Sequence, residues 1–457
     1  MNDFDAVRVD ELAQQWVQEL KRRGVQPGYA VGWLSLNHPS GLGLLKACMQ
    51  LDVRFVPLNW RLAEPELVQI MAHVQLQHLI HDDSMAELAG RLKSRFEMPA
   101  PVPVGHETGD AMVVYTSGST GDPKGAVHTV RGMQANAQAA IVSQGLSVHT
   151  RTLSVLPMFH VGGLCIQLLP TLQAGGRVLL HERFDPTRWL QDVASWRPTT
   201  SLLVPATMRA LIEHPQWEHT DLSSLAFISA GSSVVPVSLI EAFHQRGIPV
   251  VQVYGATETG PVSTVLPPQI AMAHPGSAGW PVAGVRLRLV NEADNEVAVG
   301  EVGEIWVKGP NVMRGYHQAP DHPGFVQGWF KSGDLGRLGS DGQLEVVGRS
   351  KDMIISGGEN IYPAEIENRL IGHPDVEECA VVGLPDQRWG EVPVLVVVPR
   401  DGRTPTEEAL RATYEGTLAR FKHPRRLIFR TQLPKTALGK VQKSVLVQQL
   451  TETSEGA

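Results

Sequence analysis

The feature that most constrains this chain is a stretch rich in glycine and hydroxyl residues at positions 115–125, Tyr-Thr-Ser-Gly-Ser-Thr-Gly-Asp-Pro-Lys-Gly. It follows a short apolar run, residues 111–114, which is typical of a buried strand. Loops at the carboxyl ends of strands are where α/β sheets bind ligands. Glycines let the backbone approach a ligand, hydroxyls donate hydrogen bonds, and Lys124 adds a positive charge. The stretch therefore predicts a phosphate-binding loop.

Two other interpretations of this loop are weaker. A Walker A loop has glycine directly before its lysine and serine or threonine directly after it, whereas Lys124 lies between Pro123 and Gly125. A solvated glycine and serine linker would not be expected beside an apolar strand. The residues predicted to contact phosphate are Thr116, Ser117, Gly118, Ser119, Thr120, Gly121 and Lys124.

The bulk composition predicts a globular protein of more than one domain. The chain has 457 residues, beyond the roughly 250 to 300 at which single cores stop growing. The net charge of -7 argues against a nucleic-acid-binding role. No apolar run is long enough for a membrane helix, and the acidic amino terminus does not resemble a signal peptide, so we expect a cytoplasmic protein without an integral membrane segment.

Cysteine and histidine usage predicts no metal cluster and no disulfide framework. Cys48, Cys165 and Cys379 are widely separated, as expected of buried apolar residues in a reducing compartment. The 17 histidines show no metal-ligand spacing such as His-Glu-x-x-His, so a structural zinc is not expected.

Apolar periodicity alternates between helix and strand before the loop. The predicted elements are a helix at 10–23, a strand at 29–36, a helix at 40–49, a strand at 54–58, a helix at 63–73 and a strand near 79–80. A linker is expected from 87 to 110. This alternation predicts βαβ units and a mostly parallel sheet. Beyond residue 349, a helix opened by Pro363, strands at 379–384 and 392–398, and a helix at 407–420 predict a small α+β unit.

Six more motifs follow the loop. They are residues 156–163 (Leu-Pro-Met-Phe-His-Val-Gly-Gly), 229–233 (Ser-Ala-Gly-Ser-Ser), 251–258 (Val-Gln-Val-Tyr-Gly-Ala-Thr-Glu), 329–334 (Trp-Phe-Lys-Ser-Gly-Asp), 348–352 (Gly-Arg-Ser-Lys-Asp) and 433–441 (Leu-Pro-Lys-Thr-Ala-Leu-Gly-Lys-Val). Residues 254–258 supply an aromatic ring, a hydroxyl and a carboxylate, which are the groups that a nucleotide triphosphate with Mg²⁺ needs. Each motif also has an ordinary structural explanation, because exposed Glu and Lys side chains are usually solvated and Gly-Asp pairs are common in turns.

The order of the seven motifs resembles that of the AMP-forming adenylating enzymes, the superfamily of acyl-CoA synthetases, adenylation domains and luciferases. The resemblance spans residues 10 to 450. It implies an ATP- and AMP-binding set beyond the loop, consisting of Gly231, Ser232, Tyr254, Gly255, Ala256, Thr257, Asp334, Arg349 and Lys440. It implies Mg²⁺ binding by Glu258, and a catalytic set of Lys440, Thr257, Glu258 and Lys124. It also implies acyl contacts from Phe159, His160, Gly163, Ala230 and Gly255, with Phe159 and His160 in substrate contact and not in acid–base chemistry.

The resemblance further implies the domain organisation. We expect an α/β fold with a large N-terminal adenylation domain of layered, mostly parallel sheets over residues 1–349. A small, mobile α+β lid domain over 350–457 would rotate about a hinge at 349–352, centred on Lys351. Gly357 and Gly358 would line the coenzyme A tunnel.

The implied activity is the ATP-dependent activation of a hydrophobic carboxylic acid, fatty or aromatic, as an acyl-adenylate, followed by transfer to coenzyme A. The implied cofactors are ATP, Mg²⁺ and coenzyme A, and family habit suggests a monomer or homodimer. Two alternatives stay open: an o-succinylbenzoate–CoA ligase, and a stand-alone adenylation enzyme that loads a carrier protein. A nucleotide-binding regulator without catalysis is not favoured, because Lys440, Glu258 and Lys124 are all present.

One departure from the family pattern bears on these alternatives. Many relatives carry histidine six residues after the loop lysine, where this chain has Val130, and His128 lies two positions earlier. Residues 127–129, Val-His-Thr, resemble the local variant of o-succinylbenzoate–CoA ligases, whereas residues 159–163 and 357–367 look as much like fatty-acyl and aryl-acid CoA ligases.

Overall fold

A computed structural model describes most of the chain in two compact units. The described residues are 3–97, 109–117, 123–231, 235–319, 322–356, 359–386, 388–415, 417–436 and 439–455. The first unit comprises Met1–Ser232, Phe243–Leu287 and Trp306–Ser332, and the second comprises Ser233–Ala242, Arg288–Ile305 and Gly333–Ala457.

Strands and helices alternate through the first part of the chain. The strands up to residue 281 are β1 (Asp3–Phe4), β2 (Ala30–Leu34), β3 (Arg54–Pro57), β4 (His78–His81), β5 (Asp110–Ser117), β6 (Pro123–Thr129), β7 (Arg151–Ser154), β8 (Arg177–Leu180), β9 (Thr200–Leu203), β10 (Phe227–Ala230), β11 (Val250–Tyr254), β12 (Thr264–Val265) and β13 (Trp280–Pro281). The helices are α1 (Ala6–Arg22), α2 (Pro39–Gln50), α3 (Glu64–His73), α4 (Ala86–Arg95), α5 (Val130–Gln144), α6 (Val161–Cys165), α7 (Leu168–Gln173), α8 (Pro186–Trp196), α9 (Pro205–Ile212) and α10 (Val237–Gln245).

The remainder of the chain is richer in strands. Its strands are β14 (Arg286–Val290), β15 (Val302–Lys308), β16 (Gly315–Tyr316), β17 (Phe325–Val326), β18 (Trp329–Leu338), β19 (Leu344–Arg349), β20 (Ile354–Ser356), β21 (Glu359–Ile361), β22 (Val376–Asp386), β23 (Gly390–Pro399) and β24 (Arg426–Phe429). Its helices are α11 (Pro363–Leu370), α12 (Glu407–Ala412) and α13 (Lys443–Glu455).

Two large sheets organise the first unit, and both are mostly parallel. One has the order β1-β8-β7-β9-β10-β11-β12-β13, and the other has the order β16-β6-β5-β3-β2-β4. Strands β7 to β11 of the first sheet pair in parallel, as do β2 to β5 of the second. A third sheet orders β14-β15-β18-β17, with β19 beside β18. The predicted α/β class with layered, mostly parallel sheets is confirmed.

The six-stranded sheet is covered on both faces, which explains its continuous apolar strands. Phe55 and Met112 contribute to a core cluster with α1 and α2, whereas their neighbours Val56 and Val113 contribute to a cluster with α3 and α4. Successive side chains of a strand point to opposite faces, so a strand buried on both faces must be apolar throughout.

The second unit contains the smaller sheet β21-β20-β23-β22, with β24 beside β23. Val381 and Leu395 join a core cluster with α11 and α12, and Ala380 and Val382 join another cluster with α13. The predicted α+β character of this part of the chain agrees with that arrangement.

Most predicted elements are present with boundaries shifted by a few residues, and the larger differences have structural reasons. Helix α1 begins at Ala6, four residues early, because the Asp5 side chain caps it by accepting from the backbone N–H of Arg8. Helix α4 lies within the predicted linker 87–110. Helix α12 ends at Ala412 and not near 420, and the Thr413 hydroxyl donates to the carbonyl of Leu410 at 2.7 Å, a local bond that competes with helix continuation.

The predicted boundary at 349–352 stays a prediction. The segment Ser350–Asp352 forms one 3₁₀ turn. Among the described residues, no helix is both long enough and apolar enough to cross a membrane.

Two helical glycines provide a matched test of packing in the first unit. A Cβ on Gly43 in α2 would lie 2.6 Å from Leu12 Cβ and 2.9 Å from the Leu12 backbone carbon of α1, whereas a Cβ on Gly90 in α4 would meet nothing within 4 Å. We expect Gly43→Ala to lower the free energy of unfolding by about 1–3 kcal/mol through overpacking. Gly90→Ala should raise it by about 0.5–1 kcal/mol through helix propensity. Urea denaturation measures both, and a stabilising Gly43→Ala would contradict the close approach.

Candidate functional site

The predicted phosphate loop joins two antiparallel strands. Strands β5 and β6 pair so that Thr116 lies opposite Lys124, which places both at the loop end of the hairpin. Lys124 is half-buried. The predicted contacts Gly118, Ser119, Thr120 and Gly121 lie outside the described residues, as does the side chain of Ser117.

The second strand of this hairpin is connected to the loop that carries Glu258. Strand β16 pairs with β6, and Tyr316 lies opposite Ala126. From there the Tyr316 hydroxyl donates a 2.8 Å hydrogen bond to Glu258 Oε1. The phosphate hairpin and the predicted Mg²⁺ ligand therefore meet through one tyrosine, which the sequence analysis did not identify.

Lys124 also contacts this tyrosine. Its Nζ atom is 5.5 Å from the centre of the Tyr316 ring and 3.2 Å from His322 Nε2. The rings of Tyr316 and His322 are in edge contact, with centres 4.5 Å apart. Lys124, Glu258, Tyr316 and His322 thus form one polar cluster in the first unit. His322 also escaped the sequence analysis, because a histidine before a Pro-Gly pair carries no recognisable signal.

The loop after β11 is held rigidly by its neighbours. The Asn311 side chain donates to the carbonyl of Thr259 at 2.8 Å, and the Thr259 hydroxyl accepts from the backbone N–H of Ala256 at 2.9 Å. A Cβ on Gly255 would lie 2.5 Å from the Pro261 carbonyl oxygen, so only glycine fits there. Thr257 is buried and Glu258 is half-buried. The packing therefore fixes the loop that carries the predicted ligands.

Predicted nucleotide and acyl contacts lie at the ends of two neighbouring parallel strands. Ala230 ends β10 and Tyr254 ends β11, with Ala230 opposite Gln252. A Cβ on Gly231 would lie 2.6 Å from the Val253 carbonyl oxygen, which explains the need for glycine. The structure thus brings Ala230, Gly231 and Tyr254 to one edge of the sheet, while Ser232 lies outside the described residues.

The predicted acyl contacts surround the start of α6. The His160 side chain caps this helix, its Nδ1 accepting from the backbone N–H of Gly162 at 3.0 Å. Burial lowers the pKa of His160 to about 4, so the ring is neutral near pH 7. Phe159 is half-buried, and a Cβ on Gly163 would clash with the Pro157 carbonyl oxygen. A neutral capping histidine agrees with its exclusion from acid–base chemistry.

Helix α6 is linked to the loop that carries Glu258. The Asn136 side chain donates to the Cys165 carbonyl at 2.7 Å and accepts from the backbone N–H of Val262 at 3.1 Å. The buried side-chain amide of Asn136 on α5 therefore holds the segment of the predicted acyl contacts at a fixed distance from the loop of the predicted phosphate contacts.

Two arginines beside Trp60, one of which also lies near Phe159, were missed by the sequence analysis. The Arg61 guanidinium lies 5.7 Å from the Phe159 ring and 5.1 Å from the Trp60 ring, and Arg183 lies 5.9 Å from Trp60. Burial and the charge of Arg183 lower the pKa of Arg61. Isolated arginines carry no sequence signal for such a pair, which depends on segments more than 120 residues apart.

The departure at residues 128–130 has a structural explanation. His128 lies on β6 and is 4% exposed, and burial lowers its pKa to about 4. Val130 is the first residue of α5 and packs against the apolar core. Both side chains serve packing of the hairpin, and neither joins the polar cluster.

The second unit contains the remaining described candidates. Asp334 on β18 lies opposite Arg349 on β19, and Arg349 Nε is 2.7 Å from Asp334 Oδ1. Lys440 is exposed, and partial desolvation lowers the pKa of its ammonium, with repulsion by Arg349 adding to the effect and Asp334 opposing it. Asp334, Arg349 and Lys440 are therefore electrostatically coupled. Lys351 lies in the 3₁₀ turn after β19, while Gly357 and Gly358 lie outside the described residues.

The donor set around Glu258 fits a Mg²⁺ ion bound partly by substrate. Among the described residues, no group of three or more His, Cys, Asp or Glu side chains could hold a metal. Protein-bound Mg²⁺ commonly uses one or two carboxylates together with substrate phosphates and water. Glu258 offers a single carboxylate beside a lysine and a phosphate hairpin, which suits that mode and no closed protein cage.

Comparison with known proteins agrees with the motif order. Residues 7–317 match the family described as AMP-binding enzyme, and residues 365–440 match the AMP-binding enzyme C-terminal domain. An indoleacetate–CoA ligase of Aromatoleum aromaticum is 41% identical, over 96% of this chain and 92% of its own length. A feruloyl-CoA synthase of an Amycolatopsis species is 43% identical, over 93% of this chain and 89% of its own.

A solved structure extends the likeness to the fold. The o-succinylbenzoate–CoA synthetase of Bacillus subtilis, in complex with its acyl-adenylate intermediate, aligns with a TM-score of 0.86 at 30% identity, over 96% of this chain and 92% of that one. The predicted superfamily, enzyme class and activity as an AMP-forming acid–CoA ligase agree with these relatives. Both family models, in order along one chain, show that this protein belongs to the AMP-binding enzyme family.

Proposed function

We propose that this enzyme activates an aromatic carboxylic acid with ATP and transfers the acyl group to coenzyme A. The observation that carries the proposal is that the Glu258 carboxylate and the Lys124 ammonium both contact Tyr316, beside the phosphate hairpin. The relatives give the acid class, because their names specify indoleacetate, feruloyl and o-succinylbenzoate substrates, all aromatic.

Charge neutralisation is the main requirement of the first step. A carboxylate must attack the α-phosphate of ATP, and two anions repel each other at contact distance. A new oxygen–phosphorus bond forms, the bond to pyrophosphate breaks, and an acyl-adenylate results. Lys124 would counter the charge of the departing pyrophosphate, and Thr257 would donate to a phosphate oxygen.

Mg²⁺ would be held by Glu258 and by phosphate oxygens of the substrate. When bound, it neutralises phosphate charge and polarises the reacting phosphoryl group. The Tyr316 hydroxyl would fix Glu258 by occupying Oε1, so that the other carboxylate oxygen faces the ion. Tyr316 is therefore a positioning residue.

The second unit would supply the nucleoside contacts and a second cation. The Asp334 carboxylate would accept from the ribose hydroxyls, with Arg349 beside it. The Lys440 ammonium would reach α-phosphate and carboxylate oxygens together during adenylate formation. Thioester formation needs this position open for the thiol, so a rotation about Lys351 would separate the two half-reactions.

Coenzyme A is the proposed acceptor because the relatives are CoA ligases. A carrier-protein thiol is the alternative acceptor. A fatty acid substrate receives no support from the names of the relatives. The cytoplasmic location and the monomeric or homodimeric state stay predictions.

An o-succinylbenzoate-type substrate is the second candidate, and the arginine pair favours it. Such an acid carries a second carboxylate, which needs a cation in the acyl region. Arg61 lies beside Phe159 and Trp60, Arg183 lies beside Trp60, and both could pair with this carboxylate. A monocarboxylic indole or phenylpropenoic acid would not use this pair.

The decisive experiment measures pyrophosphate release from Mg·ATP with a panel of acids, each with and without coenzyme A. The panel contains indoleacetate, ferulate, o-succinylbenzoate, benzoate and a medium-chain fatty acid. Multiple turnovers with one aromatic acid, only when coenzyme A is present, would support the proposal. Release that stops after about one turnover in both conditions would point to a carrier thiol, and release with the fatty acid alone would overturn the aromatic class.

We expect Lys440→Ala to lower the rate of adenylate formation by about 100- to 1000-fold, because it removes a cation from the transition state. Thioester formation from a supplied acyl-adenylate should change by less than about threefold, because that step uses a different position of the second unit. Lys435→Ala, which changes a lysine paired with Glu378 in the same segment, is the matched control. Equal losses in both half-reactions would show a structural role for Lys440.

We expect Tyr316→Phe to raise the Mg·ATP concentration for half-maximal pyrophosphate release about tenfold, because a hydrogen bond to a carboxylate contributes about 1.5–3 kcal/mol. The half-saturating concentration of the acid should stay within about twofold. Tyr29→Phe removes a hydroxyl from a buried residue of the core and serves as control. Unchanged dependence on Mg·ATP would remove Tyr316 from the site.

A further inference from the structure

His322 lies beside Lys124 in an arrangement that the proposed roles do not explain. Its Nδ1 atom accepts a hydrogen bond from the backbone N–H of Gly324 at 3.0 Å. A neutral imidazole carries one ring proton, so acceptance at Nδ1 places that proton on Nε2. Nε2 is the atom that faces the Lys124 ammonium at 3.2 Å. Two hydrogen-bond donors therefore converge on the same space.

The surroundings of His322 determine its charge. Burial lowers the pKa of His322 and the charge of Lys124 lowers it further, while Glu258 opposes both effects. The groups that face the ring are Lys124 on β6, Glu258 in the loop after β11, and Tyr316 on β16. The ring is thus a neutral donor next to a fixed cation.

Converging donors are best satisfied by an oxygen anion with several lone pairs. A carboxylate could satisfy them, but the nearby Glu258 oxygen Oε1 is already engaged by Tyr316. A phosphate group presents three oxygens and binds strongly to N–H donors that carry or adjoin positive charge. Lys124, one of the two donors, also lies opposite Thr116 at the loop end of the phosphate hairpin.

We propose that His322 binds the polyphosphate part of the nucleotide together with Lys124, Nε2–H and the ammonium donating to oxygens of the same phosphoryl group. This inference rests on the proposed function for its ligand, ATP, and concerns a residue that no motif contains. It assigns His322 to the pyrophosphate leaving group, because the adenine and ribose contacts come from other segments of the chain. AMP, which lacks the β- and γ-phosphates, should not use it.

Two substitutions separate the two nitrogens of the ring. Asn in place of His322 keeps an acceptor for the Gly324 N–H but carries no donor at the position of Nε2. Gln is one methylene longer, and its amide nitrogen reaches the region of Nε2. His322→Asn should therefore weaken polyphosphate binding, and His322→Gln should restore most of it.

The test is calorimetric titration of each variant with inorganic pyrophosphate, ATP and AMP, in the presence of Mg²⁺. We expect His322→Asn to weaken the binding of pyrophosphate and ATP about tenfold, and to change AMP binding by less than about twofold. His322→Gln should lie within about threefold of the wild type. His149→Asn, which changes an exposed histidine near the amino end of β7, should bind all three as the wild type does.

Several outcomes would overturn the proposal. Unchanged pyrophosphate binding in His322→Asn removes the histidine from the site. Equal weakening of AMP binding and ATP binding in His322→Asn would show a structural role. Failure of His322→Gln to restore pyrophosphate binding would show the same, provided that its thermal unfolding matches that of the wild type. Pyrophosphate binding requires neither an acid nor coenzyme A. Wild-type protein that binds pyrophosphate through His322 but ligates no acid would therefore refute the ligase function alone.

Discussion

The candidate site depends on the backbone of residues 311–317, which is hydrogen-bonded on two sides. The N–H of Met313 donates to the Glu258 carbonyl at 2.8 Å, and the N–H of His317 donates to the Gly125 carbonyl at 2.7 Å. One short segment thus fixes the distance between the phosphate hairpin and the loop of Glu258. Because backbone hydrogen bonds tolerate little displacement, the positions of Lys124 and Glu258 are set together.

Buried charge explains why this segment stays in place. Arg314 forms a 2.7 Å ion pair with Asp110, and Asp110 also stabilises the charge of Arg54, which is 1% exposed. Arg54 is 3.2 Å from His317 Nδ1, and burial lowers the pKa of that histidine to about 4. Removing one partner from such a set leaves a desolvated charge, which costs far more than a surface pair contributes. The site is therefore supported by a network that itself does no chemistry.

The sequence was sufficient for the parts of the site that are local in the chain. Lys124 lies eight residues from Thr116, its partner across the hairpin, and residues 254–258 are contiguous, so motifs revealed both. Tyr316 and His322 could not be found in this way. Tyr316 is 58 residues from Glu258 and His322 is 198 residues from Lys124. The pairing of β16 with β6 and the backbone hydrogen bond from Met313 to Glu258 bring these segments together. Periodicity predicted the strands and helices because it is also local in the chain, whereas side-chain caps such as Asp5 shifted the ends of these elements.

The two lysines proposed for catalysis each lie beside a hydrogen-bond donor or a like charge. Lys124 adjoins an imidazole whose lone pair is turned to Gly324, and Lys440 is repelled by Arg349 although Asp334 lies in the same set. At Lys440, desolvation and the like charge of Arg349 disfavour the cation until an anion arrives, whereas Lys124 has the Nε2–H donor of His322 beside it. Binding of phosphate or carboxylate oxygens then relieves the repulsion as well as forming new hydrogen bonds. An enzyme whose substrates are two mutually repelling anions gains most from cations in such surroundings. The interaction of these cations with the substrates strengthens as negative charge accumulates in the transition state.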